Sequence, residues 1–365
     1  MKKQLNILIS GGGTGGHIFP AIAIANEIKR RDPDVNILFV GANDKMEMEK
    51  VPAAGYKIEG LWISGFKRSF DLGNLMFPVK LIASYFKSGA IVRNFQPDVA
   101  IGTGGFASGP ALQAAMRHGV PALIQEQNSY PGITNKILSK KAKKICVAYD
   151  DMEEFFPKNK IIKTGNPVRQ NIVLCNVKKE KGRKDFDLDI SDKVLFIVGG
   201  SLGSRTLNNC MKAGLEKMQK ADIKVIWQTG TMMFEECKRL AKPFQNVHVL
   251  DFIPNIDHAY AAADIIVSRA GAIAISELCL VGKPVILVPF PFAAEDHQTK
   301  NAKALVKHNA AIHISDKDAP HKLIDQAIEL MANDELRKQL SEQIRNYAIP
   351  DAAERIVDEI LKLTE

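Results

Sequence analysis

Short, nearly continuous apolar runs rich in Ile and Val recur along the chain and alternate with longer stretches of helical periodicity. The runs are Leu5 to Ser10, Asn36 to Val40, Val99 to Gly102, Ala122 to Gln125, Val194 to Val198, Lys224 to Gln228, Ile265 to Val267 and Val285 to Val288. Strands without polar alternation suit a sheet covered on both faces, and helices between them supply the crossovers of a parallel sheet. The predicted fold class is therefore α/β. Between about Val173 and Asp192 the pattern lapses into a charged, weakly apolar stretch, and a second sheet is expected to begin at Lys193. With 365 residues the chain exceeds what one core usually covers, so two domains are expected, 1–170 and 171–350. A last helical stretch, 351–365, follows Pro350 and is expected to return to the first domain.

Both halves open alike, with an apolar strand feeding a glycine cluster and then a helix. The first is Ile7-Leu8-Ile9-Ser10-Gly11-Gly12-Gly13-Thr14-Gly15-Gly16, and the second is Phe196-Ile197-Val198-Gly199-Gly200-Ser201-Leu202-Gly203-Ser204. Two Rossmann-like domains facing a cleft account for both. Gly11, Gly13 and Gly16 satisfy the dinucleotide fingerprint, yet no acidic residue ends the second strand to hold a ribose, since Gly41-Ala42-Asn43 follow Val40 and Asp44 comes late. Two readings stay open: a tight turn for close packing, or bare amides and a helix N-terminus approaching an anion, with Thr14 and His17 adding side chains. At the helix start the dipole favours a neutral imidazole, which makes His17 a candidate general base, or else a capping or positioning group.

The composition, 46% hydrophobic and 25% charged with a mean hydropathy of −0.08, is that of a globular chain rather than a polytopic membrane protein. A net charge of +8 favours an anionic partner. The basic residues are spread and form no recognition module, so nucleic acid is not expected. Five scattered cysteines without a CxxC pair read as reduced thiols, and the N-terminus runs into a strand with no signal-peptide pattern.

Further loops also carry chemistry. Gly102 to Pro110 follows a strand, as does Gln125-Glu126-Gln127-Asn128, whose polar groups either bind one another or a polyhydroxylated ligand. Arg269-Ala270-Gly271-Ala272 opens a helix whose N-terminus suits a diphosphate, and Glu277 within it suits a ribose diol or merely complements the dipole. Beyond it, Glu295-Asp296-His297-Gln298 and Asn301 could meet sugar hydroxyls. From Leu72 to Val92 a helical pattern gathers Leu75, Met76, Val79, Ile82, Tyr85 and Phe86, with Lys67, Arg68, Lys80, Lys87 and Arg93 beside it. Such a face fits an anionic membrane surface or an ordinary core, and Pro78 kinks the helix or marks its start.

Taken together and in order, Gly12 to His17, Gly104 to Pro110, Gln125 to Asn128, Thr164 to Arg169, Gly199 to Gly203 and Arg269 to Ala272 resemble the MurG family, over essentially the whole chain. Those bacterial enzymes transfer N-acetylglucosamine from UDP-N-acetylglucosamine to undecaprenyl-pyrophosphoryl-N-acetylmuramoyl-pentapeptide in peptidoglycan synthesis. The resemblance implies an inverting glycosyltransferase of the B-fold, with the donor on the second domain and the lipid acceptor on the first. It implies that Thr14, Gly15, Gly16 and Asn128 face the donor sugar and the reaction centre. Arg169 and Ser201 would then contact the diphosphate, Ile253 the uracil, Glu277 the ribose and Gln298 the sugar hydroxyls, with Ala272 among the substrate contacts. It also favours the membrane reading of the Leu72 to Val92 face, at the cytoplasmic side of the cell membrane, as a peripheral protein on its anionic inner leaflet. No cofactor is expected, and with no DxD-like carboxylate pair at a strand end, no metal. Two positions depart from the family pattern: Phe106 replaces a usual Tyr, and Ala274 a usual Thr or Ser.

Overall fold

The computed structural model describes residues 4–65, 75–173, 177–200 and 202–365. It divides into two compact units, Met1–Arg169 with Asp351–Glu365, and Gln170–Pro350. In unit 1 the order is β1 (Asn6–Gly11), α1 (Gly15–Arg31), β2 (Asn36–Ala42), α2 (Glu47–Ala53), β3 (Lys57–Leu61), α3 (Phe77–Phe95), β4 (Val99–Gly104), α4 (Ser108–Arg117), β5 (Ala122–Glu126), α5 (Ile133–Ser139), β6 (Lys144–Val147) and β7 (Ile161–Lys163). The strands form one parallel sheet in the order β3-β2-β1-β4-β5-β6-β7. Successive residues of β1 serve opposite faces: Ile7 and Ile9 pack with Ile18, Ile24 and Ile28 of α1, while Leu8 packs with Leu112 and Ala115 of α4. Both faces are covered, which is why the run carries no polar alternation.

Unit 2 follows with α6 (Gln170–Val173), α7 (Lys179–Lys184), β8 (Lys193–Val198), α8 (Arg205–Lys220), β9 (Ile223–Gln228), α9 (Phe234–Ala241), β10 (Val247–Leu250), α10 (Ile256–Ala262), β11 (Ile265–Ser268), α11 (Ala272–Val281), β12 (Val285–Leu287), α12 (His297–Val306), β13 (Ile312–His313), α13 (Ala319–Ala332) and α14 (Asp334–Arg345). Its parallel sheet runs β10-β9-β8-β11-β12-β13. In each unit the strand order reverses beside the first strand, between β1 and β4 and between β8 and β11. Ligands of open α/β sheets gather at the carboxyl ends of such strands.

The final helix, α15 (Ala352–Leu361), belongs to unit 1, where Ile356, Val357 and Ile360 join Ile7, Ile9 and Cys146 in one core cluster. Arg31 ties it down, donating to Asp358 at 2.5 Å and to the Glu354 carbonyl at 3.0 Å while holding buried Glu27 at 2.6 Å. Hydrogen bonds from Arg30, and then from Arg31, outweigh burial and hold the Glu27 carboxyl below its ordinary range.

Five strands escape the apolar pattern. β3, β7, β10 and β13 lie at sheet edges and β6 next to one, and they are short or carry lysine, glutamate or histidine. The charged stretch before β8 hides α7, whose Arg183 is only 1% exposed because it donates to Asp264 at 2.8 Å and to the carbonyls of Ala262, Asp189 and Ile190. The four described cysteines are free and buried, and burial pushes Cys146 up to about 12, consistent with inert reduced thiols.

Candidate active site

The carboxyl ends of β1, β4 and β5 carry three loops in unit 1. Thr14 is the N-cap of α1 with extended backbone, so Gly15 and Gly16 form the first turn and His17 follows them. Thr14 and Gly16 are exposed, Gly15 and His17 half-buried. The His17 Nδ1 lies 3.0 Å from the Gly12 carbonyl and 3.3 Å from Thr14 Oγ1. A carbonyl only accepts, so Nδ1 carries the proton, and whenever the ring is neutral Nε2 is its basic atom. That edge runs along Gly104, where an added Cβ would stand 3.0 Å from Nε2 and 2.8 Å from Cδ2. Gly105, at φ +89°, is packed so closely on the Gly12 carbonyl that a Cβ would sit 2.1 Å from its oxygen.

One amide of the first glycine loop is not bare. The Gly13 amide already donates to Glu47, at 3.0 and 3.2 Å, and the Ala42 amide donates to the same fully buried carboxylate at 3.0 Å. The protein supplies its own anion there. Glu47 stands five residues beyond β2, too far for the acid-at-strand-end rule to find.

Three of the four residues in the Gln125 to Asn128 run are taken up by partners within the protein. Gln125, Glu126 and Gln127 are all buried. Gln125 donates to Asn166 at 2.9 Å and Gln127 to the Thr103 carbonyl at 2.8 Å. Glu126 accepts from the Asn128 amide at 3.0 Å, Asn128 Nδ2 at 3.1 Å, the Gly132 amide at 3.2 Å and Asn135 at 2.9 Å. These bonds fix half-buried Asn128 at the loop's tip.

The Leu72 to Val92 helix starts at Phe77, with Pro78 in its first turn; Leu72, Lys67 and Arg68 lie outside the described residues. It packs inward through Ser84, Ser88, Ile91 and Val92. The apolar positions point outward instead: Leu75 is 75% exposed, Val79 50%, Ile82 58% and Phe86 71%. Between this helix and exposed Ile133 and Ile137 of α5 lies an apolar groove of about 660 Å³, with Phe106 in its wall. Of the lysines on this helix, Lys80 donates to Ser64 and Lys87 to the Gly60 carbonyl.

In unit 2, Ser204 caps α8, accepting from the Leu207 amide, and the glycine loop before it is tight: a Cβ on Gly203 would meet the Thr229 carbonyl at 1.9 Å. Ser201 lies outside the described residues. Arg169 is exposed at the end of unit 1. Ala272 is the first residue of α11 and buried; Glu277, further along, is 4% exposed. Gln298 is half-buried in the first turn of α12 and accepts from the Phe290 amide at 2.9 Å. Asn301 is wholly buried one turn further along the same helix. The Ile253 side chain, 6% exposed, belongs to the core beside Ile256. Sequence reasoning also missed Asp316, which accepts from Arg269 at 2.5 Å and Thr206 at 3.0 Å, linking the starts of α8 and α11.

Known proteins match this arrangement along its length. The pattern described as "Glycosyltransferase family 28 N-terminal domain" matches residues 7–147, and "Glycosyltransferase family 28 C-terminal domain" matches 194–356. A relative from Cytophaga hutchinsonii, named UDP-N-acetylglucosamine--N-acetylmuramyl-(pentapeptide) pyrophosphoryl-undecaprenol N-acetylglucosamine transferase, is 56% identical over 99% of this chain and 98% of its own. One of the same name from Parabacteroides distasonis is 53% identical over 100% and 99%. The crystal structure of Acinetobacter baumannii MurG is 28% identical with a TM-score of 0.80, covering 98% of this chain and 99% of that one. A UDP-GlcNAc 2-epimerase from Neisseria meningitidis, 17% identical with a TM-score of 0.68 over 98% of this chain and 100% of that one, shares the fold. The α/β architecture of two Rossmann-like domains expected from the sequence is thus observed, and the chain belongs to glycosyltransferase family 28.

Proposed function

We propose that this glycosyltransferase moves N-acetylglucosamine from UDP-N-acetylglucosamine to the C4 hydroxyl of undecaprenyl-pyrophosphoryl-N-acetylmuramoyl-pentapeptide, with inversion. The observation that carries this reading is the 56% identity over nearly the full length to a relative bearing that activity in its name. The acceptor oxygen attacks the anomeric carbon, the bond to the β-phosphate breaks, and its electron pair leaves with UDP. His17 Nε2 takes the hydroxyl proton. Thr14, Gly15, Gly16 and Asn128 line the reacting centre from unit 1. The developing phosphate charge falls to Arg169, the loop holding Ser201 and the N-terminus of α11 at Ala272, which supply preorganised donors without a metal. In unit 2 the backbone of Ile253 meets uracil, Glu277 the ribose diol and Gln298 the sugar hydroxyls.

Residues 1–170 with the returning helix form the acceptor and membrane domain in this reading, and 171–350 the donor domain. Among the described residues no helix is long and apolar enough to cross a membrane. The outward apolar face of α3 and its lysines support peripheral contact with an anionic leaflet, on the cytoplasmic side where the nucleotide donor is available.

The test is transfer of labelled N-acetylglucosamine to a lipid-linked muramoyl-pentapeptide analogue, with and without EDTA, for the unmodified protein and His17→Ala. Transfer should survive EDTA, and His17→Ala should lose about 10²- to 10⁴-fold in kcat. Nucleotide binding without transfer would refute the acceptor assignment, and an active His17→Ala would refute the base.

A further inference from the structure

The Gly12–Gly13 peptide group stands between two side chains. Its N–H, on Gly13, donates to both oxygens of Glu47, and its carbonyl, on Gly12, accepts from His17 Nδ1 at 3.0 Å. The same planar unit therefore connects a buried carboxylate to the imidazole. Hydrogen bonds in series polarise one another, and a negative charge at one end increases the acceptor strength of the carbonyl at the other.

The surroundings leave this peptide little freedom. A Cβ on Gly12 would lie 2.1 Å from Glu47 Oε1, and one on Gly41 2.6 Å from Glu47 Cγ, so the glutamate fills the space under both glycines. From above, Gly105 closes on the Gly12 carbonyl, and the Gly12 amide donates to the Gly104 carbonyl at 3.2 Å. Thr103 Oγ1 donates to the His17 carbonyl at 2.8 Å. Thr103 and Gly104 of β4, both uncharged, and Thr14 at the cap of α1 lie against His17, and Glu47 of α2 brings a charge to the far side of the peptide.

We propose that Glu47 is a positioning residue for transfer: acting through the Gly12–Gly13 peptide, it holds His17 in the Nδ1–H tautomer and strengthens Nε2 as a base. The logic is that of a carboxylate orienting a histidine, with a peptide group inserted between them. This rests on the reading of His17 as the base, but the histidine's tautomer can be measured without any turnover.

The experiment is ¹⁵N NMR of the full-length protein labelled at histidine, with the His17 signals identified by their loss in His17→Gln. In the unmodified protein near pH 7.5, neutral His17 should be protonated on Nδ1. Glu47→Gln keeps the shape but removes the charge and sets an amide against the amides. It should raise the Nε2–H fraction, lower the His17 titration midpoint and move the acid limb of kcat/KM to lower pH. A ten- to hundred-fold loss in kcat is expected, with the donor KM within about twofold, the scale seen when an orienting partner is removed.

Glu47→Asp, which keeps the charge on a shorter arm, should retain more of the Nδ1–H tautomer than Glu47→Gln, and circular dichroism melts establish that both variants are folded. An Nε2–H tautomer in the unmodified protein overturns the proposal even if neither variant folds. So does a Glu47→Gln protein whose His17 tautomer and titration are unchanged. If His17→Ala transfers sugar normally while Glu47→Gln still shifts the tautomer, the link from Glu47 to His17 stands and the assignment of His17 as base fails.

Discussion

Replacing Ile82 and Phe86 together by serine separates membrane binding from folding. Their side chains are 58% and 71% exposed, so the fold gains only the covered remainder of each. Burying a large apolar side chain from water is worth roughly 1.5–3 kcal/mol, and the part still exposed in solution is available to a bilayer. Taking that share as somewhat over half gives about 1–2 kcal/mol for each residue, and about 2–4 kcal/mol for the pair. At roughly 1.4 kcal/mol per tenfold, the double variant should bind vesicles containing anionic phospholipid some 30- to several-hundred-fold more weakly. Its thermal midpoint should move little, because neither side chain is a core residue. Vesicle co-sedimentation over a lipid titration, beside a melt of the same preparation, gives both numbers. If binding is unchanged, or if raising salt abolishes all binding of the unmodified protein, charge alone carries the contact and the apolar argument is wrong.

Other perturbations test the internal framework. Gly105→Ala places a Cβ 2.1 Å from a backbone oxygen at φ +89°, where no side chain can yield, so transfer should fall at least tenfold; near-normal kinetics would show that the two glycine loops are not mutually fixed. Asp264 is pushed up by burial, but its hydrogen bonds from Lys179 and the Val194 amide, with Arg183 beside it, outweigh this and leave its pKa lowered. Its contribution is therefore complete above the unfolded carboxylate value near 4 and fades as pH falls through the lower folded value. Urea denaturation should find Asp264→Asn about 3 kcal/mol less stable at pH 6, with the gap narrowing below about pH 4; a gap that is constant with pH would contradict the ion-pair account. Asp316→Asn loosens Arg269 and Thr206 together and should raise the donor KM severalfold while leaving vesicle binding intact, as steady-state kinetics would show.

The interior strands and both glycine loops were legible because a strand buried on two faces must be apolar throughout, as β1 and β8 are. Edge strands such as β3 and β13 carry no such requirement, and their pairing comes from neighbours distant in sequence. The ordered motifs were legible as a set, but the fate of their polar groups was not. Gln125 to Gln127 read as sugar ligands as readily as structural groups or more so, and what decides against that is Asn166 and Asn135, brought in by the fold. Glu47 illustrates the same limit. Its partners Gly13 and Ala42 are 34 and 5 residues away, and no local rule predicts that a helix-start carboxylate will occupy a glycine loop. For α3, periodicity located the apolar face, yet which way it points follows from the packing of Ser84, Ser88, Ile91 and Val92 on its other side.

The chain order of α15 bears on how the protein is made. Ile356, Val357 and Ile360 complete the cluster around Ile7 and Ile9, so unit 1 is built from two segments that lie on either side of unit 2 in the sequence. The roughly 180 residues of unit 2 must be synthesised in between, which at bacterial rates of about 5–20 residues per second takes on the order of ten to forty seconds. Through that interval the cluster around Ile7 and Ile9 lacks its final layer, and the nascent chain presents an apolar surface that chaperones can recognise. Unit 2, contiguous in sequence, can finish folding first even though its synthesis starts second.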